Sequence, residues 1–133
     1  MKTITFITLF IIASFNAMAE NTAIKQLIRE YQLDTKSAGS AEKGRLLWNK
    51  KFTGKPPFTE RSCQTCHNSN LKQQGQHIRT KKTIEALAPS VNPKSLSDLK
   101  KIKKWLKRNC KWTIGRECTA DEKNHLLTFL KQQ

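Results

Sequence analysis

The five residues Cys63-Gln64-Thr65-Cys66-His67 put two thiols one helical turn apart, with an imidazole directly behind the second. That spacing suits a haem. Two sulfurs so placed reach the two vinyl groups and form thioethers, and the adjacent imidazole then faces the iron from the proximal side. The motif predicts one covalent haem c, bound through Cys63 and Cys66, with His67 as proximal iron ligand. Two rival chemistries fit less well. A structural zinc needs two further ligands at metal-binding spacing, and the gap between Cys110 and Cys118 is wrong for it. A thioredoxin-like dithiol needs a βαβ setting, for which this chain has no pattern.

Upstream, the chain opens with Lys2, a nearly unbroken apolar run over residues 3–15, and the small-x-small pattern Ala17-Met18-Ala19. This predicts a secretory signal peptide over 1–19, cut after Ala19, and a periplasmic protein. No second apolar run is long enough to cross a bilayer, so the cleaved chain is expected to carry no transmembrane segment. Export leads to a compartment where disulfides persist. Cys110 and Cys118 are therefore expected to pair. Closing a loop of roughly nine residues contributes about 2.6 kcal/mol in the chain-entropy model. The two methionines, Met1 and Met18, both lie before the cut. The commonest sixth ligand of a c-type haem is thereby removed.

The formal net charge is +15, and losing Lys2 with the leader reduces it to +14. Two haem propionates would bring it to about +12. Such a charge in a cytosolic chain would suggest nucleic acid. Export argues against that partner and in favour of an acidic protein or an anionic surface.

The remaining sequence reads as helices joined by polar loops, an all-α protein without internal repeats. Residues 20–39 form an N-terminal helical extension, with Ile24, Leu27, Ile28 and Tyr31 at helical spacing over 21–33 and Asn21 as N-cap. The domain proper is expected over 40–133. Ser40 caps a helix over 41–51 bearing Leu46, Leu47 and Trp48, and Pro56-Pro57 breaks it. Residues 68–94 are turn-rich and polar, with Ile84, Leu87 and Val91 available to wrap a haem edge. A helix over 96–109 has Leu96, Leu99, Ile102 and Leu106 on one face and Trp105 at the flank. Lys100, Lys101, Lys103, Lys104, Lys107 and Arg108 form a cationic stripe opposite. Asn109 is the one polar residue on the apolar face. The last helix begins at Thr119, whose Thr119-Ala120-Asp121-Glu122 run is a capping box. Its Leu126, Leu127 and Leu130 are expected to pack on the 41–51 helix.

With methionine absent, few side chains can take the distal side of the iron. His125 lies off the centre of its apolar face and reads as a surface histidine. His77 follows His67 by only ten residues and suits a propionate or solvent contact. The lysines belong to a solvated face. Two readings stay open, Asn109 as ligand or an open site.

Several segments carry a resemblance. Arg108-Asn109-Cys110, Gly115-Arg116-Glu117-Cys118-Thr119, Gly75-Gln76-His77 and Ile84-Glu85-Ala86-Leu87-Ala88-Pro89, taken with the haem motif, closely resemble the sphaeroides haem protein family over residues 40–131. The resemblance implies a small class I cytochrome c-like helical fold around one covalent haem, with a distal loop closed by Cys110–Cys118. It also implies that Asn109 is the distal iron ligand. The run from Ala41 to Trp48 resembles the first helix of class I cytochromes, where a glycine, here Gly44, permits close helix contact. The chain departs from ordinary class I members in its long spacer before Cys63 and its missing methionine loop.

An amide oxygen is a weak, hard, neutral donor that ferric iron tolerates and ferrous iron holds poorly. The expectation is a high-spin haem with a labile distal ligand, acting in electron transfer. Lys100, Lys101, Lys104, Lys107 and Arg108 would dock an acidic redox protein, and the resemblance implies a dihaem cytochrome c as reductant. The alternative is a protein that binds O2, NO or CO, or an oxidoreductase that converts NO. The resemblance implies this gas chemistry too.

Overall fold

The computed structural model describes residues 22–133. The expected leader, its cut after Ala19 and the Asn21 cap lie outside the described residues. The described residues form five helices and two very short hairpins. These are α1 (Thr22–Thr35), α2 (Ala41–Asn49), β1 (Phe52–Thr53), β2 (Glu60–Arg61), α3 (Gln64–His67), β3 (Gly75–Gln76), β4 (Thr83–Ile84), α4 (Leu99–Ile114) and α5 (Ala120–Lys131). The all-α class holds. Strands β1 and β2 pair antiparallel with Phe52 opposite Arg61, and β3 and β4 pair with Gly75 opposite Ile84. Among the described residues no helix is long and apolar enough to cross a membrane.

Helix α5 is the centre of the packing. It crosses α2 on one side and α1 on the other. Gly44 makes the first crossing close. A Cβ at Gly44 would run into the carbonyl oxygen of His125 and lie 2.7 Å from Phe129 Cβ. Four residues on, Trp48 buries its indole against Phe129, with ring centroids 6.1 Å apart. The expected glycine contact and the expected pairing of the last helix with α2 are both present.

Helix α1 buries Ala23, Ile24, Leu27 and Ile28, and Leu27 is 0% exposed. Each of Ile24, Leu27 and Ile28 contributes roughly 1.5–3 kcal/mol through burial. Helix α1 thus shares one core with α4 and α5. Lys103 Nζ on α4 also meets Glu30 of α1 at 2.9 Å.

Four helix boundaries differ from expectation, the first being that of α1, which runs to Thr35 rather than 33. Helix α2 ends at Asn49 rather than 51, because the chain becomes extended at Lys50 to enter the β1–β2 ladder. Helix α4 begins at Leu99. Asp98 caps it by accepting from the Lys101 N–H at 3.0 Å, and Leu96 has left-handed backbone with φ 56°. It ends at Ile114 rather than 109, where Gly115 takes φ 88°, the conformation that stops a helix cheaply. Ser40 and the Thr119–Glu122 capping box stand as expected.

The long segment 68–94 is closed on itself at Leu71 and joined to the C-terminus by the Ser90 N–H, which donates to Gln133 C=O at 3.3 Å. The carbonyl of buried Leu71 accepts from the N–H groups of Leu87 at 3.0 Å and Ala88 at 2.9 Å.

His125 is a correction. It is 7% exposed, not a surface residue. Its Nδ1 accepts from the Ser40 N–H at 2.9 Å, and its Nε2 lies 3.1 Å from the Asp121 carboxylate.

Candidate functional site

Helix α3 is a single turn that holds the motif. His67 N–H donates to Cys63 C=O at 3.1 Å, and Ser62 N–H donates to the Thr65 hydroxyl at 2.9 Å. Asn68, at φ 67°, ends the turn. Gly75 of β3 lies directly behind it. A Cβ there would strike the Cys66 carbonyl and lie 3.0 Å from His67 Cα.

Cys63 and Cys66 are half-buried and form no disulfide. Burial pushes the Cys63 thiol up to about 12. Burial also pushes His67 down to about 4, so its imidazole is neutral at pH 7, the form that ligates a metal. The His67 ring packs on Trp48 at 5.5 Å, with the planes tilted by 49°. Two buried nitrogens here, His67 Nδ1 and Trp48 Nε1, have no hydrogen-bond partner among the described residues. A cleft of about 460 Å³ opens beside Cys66, walled in part by Gln64, Gly75, Gln76 and Ile78. Neither His67 nor Asn109 lies in its wall.

Cys110 and Cys118 form a disulfide with Cα atoms 5.5 Å apart. The bridge spans the last turn of α4, so Asn109 sits within the helix rather than at its end. The apolar stripe is also rotated from expectation. Its buried members are Ile102, Cys110 and Thr113, with Leu99 and Leu106 half-buried. Asn109 is exposed rather than buried, one turn beyond Trp105, which is 49% exposed. The cause is that α4 packs on its neighbours through the Ile102 side, leaving the Trp105–Asn109 flank uncovered. Among the described residues nothing hydrogen-bonds the Asn109 amide.

The predicted docking cations Lys100, Lys101, Lys104, Lys107 and Arg108 are all exposed. Lys104 and Arg108 lie over the Trp105 ring, at 5.5 and 5.1 Å. Lys107 and Lys111 share Glu117 at 3.4 and 3.2 Å.

The other histidines are engaged elsewhere. His77 Nδ1 accepts from the Thr80 N–H at 3.2 Å within the β3–β4 loop, and His125 serves Ser40. One residue escaped the sequence reading. Arg61 bridges from β2 to the last turns of α4, donating to Trp112 C=O at 2.8 Å.

These donors suit a haem. Two unbridged thiols stand one turn apart, a neutral imidazole backed by Trp48 follows, and half-exposed Trp105 offers apolar surface. The chain matches, over residues 34–130, the family described as a domain of unknown function, DUF1924. It is 41% identical over 128 residues to cytochrome c-type protein SHP of Cereibacter sphaeroides, covering 96% of this chain and 98% of that one. It is 31% identical over 137 residues to cytochrome c'' of Methylophilus methylotrophus, covering 98% and 94%. The structure of oxidized SHP, described as an oxygen-binding cytochrome c, superposes with a TM-score of 0.75, covering 83% of this chain and 96% of that one. The solution structure of cytochrome c'', described in terms of haem-ligand detachment, gives 0.72 at 30% identity, covering 84% and 94%.

This helical frame and its single Cys-x-x-Cys-His motif define a monohaem c-type cytochrome that carries haem c covalently. The chain belongs to the sphaeroides haem protein family and contains its DUF1924 domain.

Proposed function

We propose that Cys63 and Cys66 hold the haem as thioethers, that His67 is the proximal ligand, and that Asn109 is the labile distal ligand of an exported electron-transfer protein. Haem c supplies a one-electron iron couple and a distal coordination position that a diatomic gas can take. The observation that carries the reading is the state of Asn109. Its amide is exposed, engaged by no other side chain among the described residues, and anchored one residue before a disulfide. With no methionine beyond residue 18, it is the distal candidate that neither His77 nor His125 displaces, since both rings are already bonded.

The chemistry of the amide sets the behaviour. Its oxygen is a hard neutral donor, so as a ligand it would give a weak field and a high-spin ferric haem, and would be held less firmly by the softer ferrous iron. Once released, the same amide presents an N–H donor to the distal side. Trp48 packs on the His67 ring and fixes its orientation. The cations Lys100, Lys101, Lys104, Lys107 and Arg108 would dock an acidic redox protein, a dihaem cytochrome c being one such partner, in the periplasm.

A second reading has its own support. SHP is described as oxygen-binding, and cytochrome c'' in terms of ligand detachment. A labile amide serves the binding of O2, NO or CO, whereas pure electron transfer prefers a fixed ligand. The two roles are compatible, with the partner supplying electrons and the gas receiving them. NO conversion would be the enzymatic form.

Optical and EPR spectra of the ferric and ferrous holoprotein, wild type against Asn109→Ala, with and without NO and CO, test the assignment. The expected wild type is high-spin when ferric and binds CO when reduced, and the substitution alters the ferric spectrum. A low-spin wild type, or spectra untouched by Asn109→Ala, overturns the distal assignment.

A further inference from the structure

Arg61 lies two residues before Cys63, on the strand leading into the haem motif. Its guanidinium makes four separate contacts. Nη1 donates to Trp112 C=O at 2.8 Å, Nε donates to Phe58 C=O at 3.1 Å, and Nη2 donates to Lys55 C=O at 3.4 Å. The guanidinium carbon stands 4.7 Å from the centre of the Trp112 ring, and the Phe58 ring lies 6.4 Å from the same ring, tilted by 59°.

Each end of this bridge has a physical reason. Trp112 is in the last four residues of α4, whose carbonyls have no intrahelical donor, so its oxygen needs an outside partner. A cation there also complements the negative end of the helix dipole. On the other side, Gly54 clears the space. A Cβ at Gly54 would fall onto Arg61 Nε and the Phe58 carbonyl, and within 2.8 Å of Arg61 Cδ. Bare glycine lets the arginine lie flat across the β1–β2 hairpin.

We infer that Arg61 is a positioning residue. It ties the last turn of α4, which directly follows Asn109, to the strand that leads into Cys63, and so sets how firmly Asn109 is held on the distal side. Asn109 precedes Trp112 by one helical turn, and the bridge spans 51 positions of sequence. The inference rests on Asn109 being the distal ligand.

Imidazole binding to the ferric holoprotein tests it, because a neutral added ligand competes with Asn109 and is little affected by a change of local charge. Arg61→Gln should tighten imidazole binding roughly tenfold, the scale of one charge-assisted hydrogen bond. Its ferric spectrum should shift toward that of Asn109→Ala. Arg61→Lys keeps one donor without the fork and should fall between. It also carries the test if Arg61→Gln yields no folded holoprotein. In an Asn109→Ala background the Arg61 effect should vanish, since no ligand is left to position. Three results overturn the inference. The first is an Arg61 variant whose imidazole affinity matches wild type while Asn109→Ala changes it. The second is an Arg61 effect equally large in the Asn109→Ala background, which marks general loosening. The third is an Asn109→Ala protein identical to wild type in spectrum and imidazole affinity, which removes the distal assignment and this inference together.

Discussion

The Nδ1 atom of His125 accepts a 2.9 Å hydrogen bond from the backbone N–H of Ser40, 85 positions earlier. Ser40 is the N-cap of α2, and its hydroxyl accepts from the Lys43 N–H at 3.2 Å. One buried ring on α5 therefore fixes the entry point of the helix that carries Trp48. Replacing His125 by Leu leaves the Ser40 N–H without an acceptor and should cost about 1–3 kcal/mol. His125→Asn, which restores an acceptor, should recover part of this. Denaturant unfolding of the three proteins measures it, and equal midpoints would show that the bond carries no net stability.

The disulfide holds the last turn of α4 to the start of α5. Cys110→Ser with Cys118→Ser should lower stability by about 2.6 kcal/mol, the closure entropy of so small a loop. Thermal melts under non-reducing conditions provide the comparison. A loss below about 0.5 kcal/mol would show that the surrounding ion pairs already fix the loop.

The start of α5 should respond to acid. Two charge-assisted bonds from Arg116, at 2.7 and 2.8 Å, and one from the Thr119 N–H at 2.8 Å hold the Glu122 carboxyl down to about 2. Because the folded-state value is depressed, the unfolded chain takes up the proton first as pH falls. The stabilisation is complete above about 4.5 and disappears on descent to about 2. The melting temperatures of wild type and Glu122→Gln should differ most near neutrality and converge toward pH 2. A constant gap across that window would mean that the carboxylate charge contributes nothing.

Charge on α4 should show in kinetics. Reduction of the holoprotein by an acidic redox protein is expected to slow steeply as ionic strength rises from 10 to about 200 mM, because screening shortens the reach of the cations. Lys100→Glu with Lys104→Glu should lower the rate at low salt and flatten that dependence. Stopped-flow traces showing the same salt slope for both proteins would remove the stripe from the docking surface.

Local chemistry was the most legible part of the sequence. Thr119 and Glu122 satisfy each other's backbone N–H groups within four residues, so the start of α5 was readable without any tertiary information. The motif of α3 is equally local. Helix α4 is less legible because its apolar periodicity starts at Leu96, whereas Asp98 supplies the cap and Gly115 the stop. The burial of His125 is hidden for a different reason. Helix α5 is sandwiched between α1 and α2, so its buried arc extends to Asn124 and His125, wider than a one-sided amphipathic stripe. Arg61 gave no signal at all. Its partners are backbone carbonyls at Lys55, Phe58 and Trp112, and a carbonyl has no identity in a sequence.

The family domain begins at residue 34, yet Ile24 and Leu27 are among the most deeply buried side chains of the molecule. The unit that is recognisable and the unit that folds are therefore not the same length. A gene trimmed to the recognisable segment would encode a protein with an open apolar trough along α5. Such a polypeptide is a candidate for self-association before any haem reaches it.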